Sequence, residues 1–460
     1  MFIGREVELN ALERLYQSDK FEMAVIYGRR RVGKSELIKK FCGNRVAINY
    51  TAVENSAHYN LEGMFVNANE AAHNIMAHST GHFVKGYSDV LDLIVQIAKV
   101  QKLIFVIDEY PYLAKADKSF SSLLQKYIDN QFKNLNIKII LCGSSMSFME
   151  NQVLGYKSPL YGRRTAQLKI EPFNYHDTAK FVPHYSKEDK LLTYGILGGT
   201  PYYLAQLDNE ISLQDNVERL FFSTSGLLFE EPNNLIKQEL REPQVYNAII
   251  TAMANGSTKG AEIATKVRKP ANLVDTYIKK LMSLGLIKKE KPIGEKTSTK
   301  SVYVLSDNMF KFWFKYVQDN MSLITRGLGN KVIETVWTKI NDYMGKIFED
   351  ICVQFLWENY SSLPLQPKEI GRWWGNNSKE KREEKIDIVA FDANKAIFGE
   401  CKYKNEKTGI DCLENLKRKS NLFRQENKTF YLFSKSGFTD ELILLDKAGE
   451  VKLLGLANLI

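Results

Sequence analysis

The sequence predicts an α/β protein of several domains, built on a mainly parallel sheet with helices on both faces. Three observations carry this. A short apolar run over residues 22–27 leads into Gly28-Arg29-Arg30-Arg31-Val32-Gly33-Lys34-Ser35 and then an apolar-periodic helix over 36–41. Two further apolar runs, 103–107 and 137–141, each end in polar residues: Asp108-Glu109 and Cys142-Gly143-Ser144-Ser145. Helical segments separate these runs, and parallel neighbours need such crossovers to return the chain to the same sheet edge.

At 460 residues the chain exceeds one ordinary core, so more than one domain is expected. Its 44% hydrophobic and 25% charged residues are those of a folded soluble protein, which excludes a disordered chain. No apolar run approaches the ~18 residues of a membrane span. The opening MFIGREVELN carries charges where a secretory signal needs an apolar stretch, so no membrane and a cytoplasmic location are expected. Cys42, Cys142, Cys352, Cys401 and Cys412 are scattered and form no C-x-x-C pair, arguing for reduced packing residues. His73, His78 and His82 cluster without a cysteine or a convincing ligand set and read as loop or surface residues.

Beyond the core of residues 1–172 the pattern becomes helical, broken at Gly198-Gly199-Thr200-Pro201, and 173–240 reads as a small helical lid. Helices are then expected over 244–255, 259–267 and 271–284, followed by strands 286–291 and 300–305 paired across a loop with Pro292 and Gly294. That order is a winged-helix pattern, assigned to 241–317. Residues 309–317 read as an aromatic connector, and 318–460 as a last α/β unit starting in earnest near Ile340.

The Gly28–Ser35 segment has the GxxxxGK(S/T) spacing in the strand–loop–helix setting that the motif requires. Its glycines let backbone N–H groups wrap phosphates, Lys34 neutralises the outer oxygens, and Ser35 offers its hydroxyl to Mg²⁺. ATP and Mg²⁺ are thus the expected ligands, with Gly28, Arg29, Arg30, Arg31, Val32, Gly33, Lys34, Ser35 and Asp108 binding them. Asp108 would hold the magnesium shell, and Glu109 would orient and deprotonate the attacking water. Ser144 could reach the terminal phosphate or the water, although a simple turn role fits it equally. Arg163 and Arg164 could offer charge to the transition state, from the same subunit or a neighbour, so a homo-oligomer is open.

Taken with Phe2-Ile3-Gly4-Arg5-Glu6, Ile107-Asp108-Glu109-Tyr110-Pro111, Pro159-Leu160-Tyr161-Gly162-Arg163-Arg164 and Gly198-Gly199-Thr200-Pro201-Tyr202, these motifs resemble the prokaryotic AAA-type ATPases related to the STAND signalling NTPases. The resemblance runs from the N-terminus through the winged-helix pattern. It implies that the FxGRE segment lies near the nucleotide base, that a lid follows the core, and that a C-terminal domain resembling restriction-endonuclease folds can follow.

Net charge is +9, and residues 256–300 carry eleven Lys or Arg against four acids, most of that excess. On a winged helix these cations would neutralise phosphates while 271–280 enters a major groove, making DNA the leading partner. A protein-binding module or an ATPase lid is the competing reading.

In the last unit, a helix over 342–359 carries Glu349, a strand over 385–391 carries Asp387, and a strand over 395–402 carries Glu400 and Lys402. Strand alternation places Glu400 and Lys402 on one face with Cys401 opposite. Asp387 and Glu400, adjacent across a hairpin, could hold a divalent metal, Lys402 could position or activate water, and Glu349 could complete the acidic site. With a helix over 411–423 and a strand over 428–433, this resembles the PD-(D/E)xK nuclease superfamily, except that Ile386 stands where a proline often precedes the aspartate. The full expectation is a P-loop NTPase sheet with a helical lid, a winged helix and a restriction-endonuclease-like α/β domain. Two functional readings follow: a DNA-associated ATPase coupled to a metal-dependent nuclease, or an ATP-driven signalling or regulatory switch whose C-terminal domain only binds.

Overall fold

The computed structural model describes residues 2–76, 84–297, 299–378 and 380–460, so His78 and His82 lie outside the described residues. Two compact units are present: residues up to Pro172 together with Thr200–Tyr202, and Phe173–Gly199 together with Tyr203–Ile460. Among the described residues no helix is long and apolar enough to cross a membrane.

In the first unit, β1 (Glu22–Tyr27), β2 (Ala47–Thr51), β3 (Leu103–Asp108), β4 (Ile137–Gly143) and β5 (Ala166–Lys169) form one sheet in the order β2-β3-β4-β1-β5. Every pairing is parallel. Side-chain alternation divides each strand between two apolar layers. Met23 and Val25 of β1 face the helices that follow β2, whereas Ala24 and Ile26 face Leu37 and Phe41. Both faces are therefore covered, which explains why β3 and β4 are apolar almost throughout. The short edge strand β2 alternates buried with exposed or half-buried positions, β5 alternates half-buried with exposed ones, and both lack the apolar runs that betray the central strands.

The second unit begins with helices Tyr175–Ala179 and Lys187–Leu197 and includes three helices, Pro243–Ala254, Gly260–Val267 and Ala271–Ser283. These lead to the antiparallel pair β6 (Ile287–Glu290) and β7 (Val302–Leu305). The aromatic stretch that follows is core rather than connector, which corrects the sequence expectation. Asn308–Phe312 is a helix that widens into a π-turn over Trp313–Val317, where the Gln318 N–H donates to the Trp313 carbonyl. Phe310, Phe312, Trp313 and Phe314 are all fully buried. Each such side chain contributes roughly 1.5–3 kcal/mol by leaving water, a gain that an exposed connector would forgo.

The unit ends in a mixed sheet, β12-β11-β10-β9-β8, comprising β8 (Gly371–Asn377), β9 (Arg382–Phe391), β10 (Lys395–Lys402), β11 (Asn427–Ser434) and β12 (Lys452–Gly455). The β8–β9 and β9–β10 pairs are antiparallel, while the β10–β11 and β11–β12 pairs are parallel. The Ile340–Glu358 helix packs on the face that presents Ile388, Ile397 and Phe433. Helices Ile410–Ser420 and Asp440–Lys447 cover the face that presents Val389, Phe398 and Leu432.

Candidate functional sites

In the first unit the strand order decides the geometry. β3, β4 and β1 are parallel and adjacent, so Asp108-Glu109, Ser144 and the Gly28–Ser35 loop emerge at one carboxyl edge, where open α/β sheets bind ligands. Gly33 adopts φ +88° at the start of the Lys34–Cys42 helix, a left-handed conformation that favours glycine. A Cβ on Gly28 would lie 2.3 Å from the Ile170 carbonyl oxygen, so backbone approach requires glycine there too.

The side chains of this edge are engaged with one another. Lys34 Nζ donates to the carbonyls of Gly28 (2.9 Å) and Arg29 (3.0 Å), holding its buried ammonium inside the loop. Ser35 Oγ donates to Asp108 Oδ2 at 2.6 Å, so the two oxygens assigned to magnesium converge. Glu109 sits at φ 50° with its N–H bonded to Asp108 Oδ1. Its Oε2 accepts from both the hydroxyl (2.9 Å) and the N–H (3.2 Å) of Ser144. Ser144 thus grips Glu109, a role that its turn position did not disclose.

The loop arginines are braces. Arg29 donates to Thr200 Oγ1 at 2.6 Å, Arg30 to the Tyr112 hydroxyl at 2.9 Å, and Arg31 lies over the Tyr202 ring. Arg5 binds the carbonyls of Val32 (3.0 Å) and Glu171 (2.7 Å), tying the N-terminal segment to the loop. Arg163 is held by Asp129, with Nη2 to Oδ2 at 2.6 Å, and by the carbonyls of Pro159 and Tyr161. Arg164 stands over the Tyr161 ring. Thr200 stands in the glycine-rich motif over 198–202, but its contact with Arg29 could not be read there; Tyr112 and Asp129 escape sequence reasoning because their partners are distant in the chain and no spacing marks them.

In the second unit, Gly399 pairs with Ile388, so Glu400 falls opposite Asp387 in the same antiparallel ladder. The Cys401 N–H donates to Asp387 Oδ2 at 3.0 Å, and Lys402 Nζ donates to Glu400 Oε1 at 2.7 Å. Burial, with the Glu400 and Glu349 charges nearby, pushes the Asp387 carboxyl up to about 7. Glu400 is buried and its Oε2 has no hydrogen-bond partner. Lys419 Nζ, from the helix beneath, stops 3.6 Å away from it. Two crowded carboxylates and an orphaned oxygen suit a divalent cation, which commonly takes one or two protein carboxylates and completes its shell with water or phosphate.

Glu349, whose charge lies near Asp387, is itself taken by an arginine. Arg372 of β8, which the sequence reading overlooks, donates from Nε to the Glu349 carboxylate. Among the described residues no three His, Cys, Asp or Glu side chains are grouped to hold a metal. The structure therefore brings Asp387, Glu400 and Lys402 together and leaves Glu349 paired with an arginine. Arg372 was hidden because β8, Gly-Arg-Trp-Trp-Gly-Asn-Asn, lacks clean apolar alternation.

Residues 2–207 match the family described as an ATPase domain predominantly from Archaea, and residues 313–418 match archaeal and bacterial proteins of unknown function. The chain is 35% identical over 421 residues to the uncharacterized protein MJECL04 of Methanocaldococcus jannaschii, covering 88% of each. It is 51% identical over 45 residues to the uncharacterized ATP-binding protein MJ0423 of the same organism, covering 10% of this chain and 76% of that one. Its fold is similar to that of the Walker-type ATPase PABY2304 of Pyrococcus abyssi, with TM-score 0.52 and 20% identity, over 68% of this chain and 96% of that chain.

Proposed function

Because this chain belongs to the family of MJECL04 and carries the archaeal ATPase domain at its N-terminus, we propose that it is a magnesium-dependent, ATP-hydrolysing switch acting on DNA. The observation that carries the hydrolytic part is the pair of contacts Ser35–Asp108 and Ser144–Glu109 on one sheet edge. Magnesium, when bound, neutralises charge on the β and γ oxygens. Ser35 and Asp108 would hold it, and Lys34 would exchange its two carbonyl partners for phosphate oxygens. Glu109, aimed by Ser144, takes a proton from water as the water oxygen bonds to the γ-phosphorus. The bridging P–O bond breaks, releasing ADP and phosphate. Arg164 is the candidate for added positive charge, in its own subunit or a neighbouring one, because Arg163 is already committed to Asp129. Phosphate release measured for the parent chain, Lys34→Ala and Glu109→Gln tests this. Turnover that persists in Glu109→Gln refutes the base assignment, and ATP binding that persists in Lys34→Ala refutes the loop assignment.

The DNA part is supported by the charge of residues 256–300, read as a winged helix over 241–317 behind a lid at 173–240. Lys266, Arg268 and Lys269 are exposed, while Lys288 is tied to Glu290 at 2.8 Å and unavailable to phosphate. Asp387, Glu400 and Lys402 support a nuclease-like site over 318–460. A binding-only C-terminal domain is the second reading, favoured by the Arg372 grip on Glu349. Metal-dependent cleavage of plasmid DNA by the intact chain, lost in Glu400→Ala, separates the two: cleavage eliminates the second reading, and its absence with either magnesium or manganese eliminates the first.

A further inference from the structure

Within the second unit, a cavity of about 220 Å³ opens between the end of the Pro243–Ala254 helix, the β6–β7 pair, the π-turn segment and the Ile340–Glu358 helix. Its charged lining is Lys311, Lys315, Lys346 and Arg372 against Glu290 and Asp350. The two acids are already satisfied. Glu290 pairs with Arg372 at 3.2 Å and Lys288 at 2.8 Å, and Asp350 with Arg372 at 3.1 Å and Lys288 at 3.4 Å. Arg372 is spent as well, since its remaining groups bind Glu349 and the Lys346 carbonyl.

Three lysines line the rest of the cavity. Lys311, at the back, donates to Asn308 Oδ1 at 3.1 Å and comes no nearer than 3.9 Å to Asp350. Lys315 stands one turn further along, over the rings of Tyr316 and Tyr343, and Lys346 approaches from the facing helix. Neither Lys315 nor Lys346 has an ion-pair partner among the described residues. Burial lowers the pKa of Lys311, against the opposing charge of Asp350, and of Lys315, against that of Asp342. Lys315 lies in the π-turn that continues the helix carrying Lys311, an irregularity that recurs at functional positions.

We propose that this cavity binds a small phosphate-bearing anion, held by Lys311, Lys315 and Lys346. The cavity is concave and walled by separate elements, which suits a free ligand of pyrophosphate size rather than the outer face of a duplex. Three ammonium-bearing side chains lining one cavity match two linked phosphoryl groups, and such a ligand would leave the Arg372 contacts intact.

Calorimetric titration of pyrophosphate into the full-length Lys34→Ala chain tests the proposal, since that substitution silences the phosphate loop. Saturable binding is expected, weakened at least about tenfold when Lys315→Met and Lys346→Met are added, and retained with Lys315→Arg and Lys346→Arg. Lys346→Gln alone, at an exposed position, provides a milder variant should the double methionine chain fail to fold. Absence of saturable binding, or equal affinity in the parent and in the charge-removing variants, overturns the proposal. So does displacement of pyrophosphate by duplex DNA at matched ionic strength, which would place the phosphates on a nucleic-acid backbone.

Discussion

Arg372 and Glu349 are bound side chain to side chain, and the same guanidinium reaches Glu290 of β6 at 3.2 Å and Asp350 at 3.1 Å. One arginine from β8 therefore joins the helix that carries Glu349 to the strand pair that precedes the aromatic core. Removing it leaves three carboxylates in a partly buried cluster with Lys288, Lys311 and Lys346 as the nearby counter-charges. Arg372→Met is expected to destabilise the chain by about 3 kcal/mol or more, because breaking a buried ion network strands the remaining charges. Thermal or urea unfolding measures this, and a loss below about 1 kcal/mol would place the cluster among weak surface pairs.

The same cluster predicts an acid limb in stability. Burial alone would raise the Asp350 carboxyl, but Arg372, Lys288 and Lys311 hold it down to about 2. Its unfolded value is about 3.9, so the unfolded chain binds the proton more readily. The stabilisation is complete above pH ~4 and is lost as the pH falls through the folded value, with an amplitude of about 2 kcal/mol. Denaturant unfolding followed down this range should show the limb in the parent and a flattened one in Asp350→Asn. Parallel limbs would reassign it to another group.

Ser144→Ala removes the hydroxyl that holds Glu109 and leaves the phosphate loop untouched. Turnover is expected to fall about tenfold to a hundredfold with ATP affinity unchanged, as for a general base set loose from its orientation. Steady-state hydrolysis beside nucleotide titration gives both quantities. Equal loss of binding and turnover would show instead that the β4 tip shapes the nucleotide pocket itself.

The exposed cations of residues 256–300 predict a salt signature. DNA affinity should fall linearly on a logarithmic scale with salt concentration, and replacing Lys266, Arg268 and Lys269 by Ala should weaken binding and reduce the slope by about one unit per lost phosphate contact. Lys288→Ala should leave the slope unchanged, since that ammonium is held by Glu290 and Asp350. Fluorescence anisotropy over a salt series decides it, and a slope indifferent to the triple substitution removes DNA from this face.

The parallel sheet of the first unit was legible because its information is local. Apolar runs and the glycine loop mark β1, β3 and β4, and strand polarity then brings Asp108, Ser144 and the loop to one edge. β2 and β5 were missed because edge strands with one partly open face carry no continuous apolar signal. In the mixed sheet, alternation along β10 foretells that Glu400 and Lys402 share a face, and the short turn after β9 sets Asp387 opposite Glu400. Ser144 was identified by position but not by partner, since a hydroxyl at a strand tip can bond in several directions until its neighbours are in place.

The α/β class, the phosphate-loop motif and the central strands β1, β3 and β4 could be read from the residues alone, because backbone periodicity and glycine conformation act over a few residues. Folding in three dimensions was needed to show that Glu109 is gripped by Ser144, that Glu349 is claimed by Arg372 and that three lysines share a cavity. Those contacts join residues on separate elements, and charge pairing depends on distance in space, which no short-range periodicity encodes.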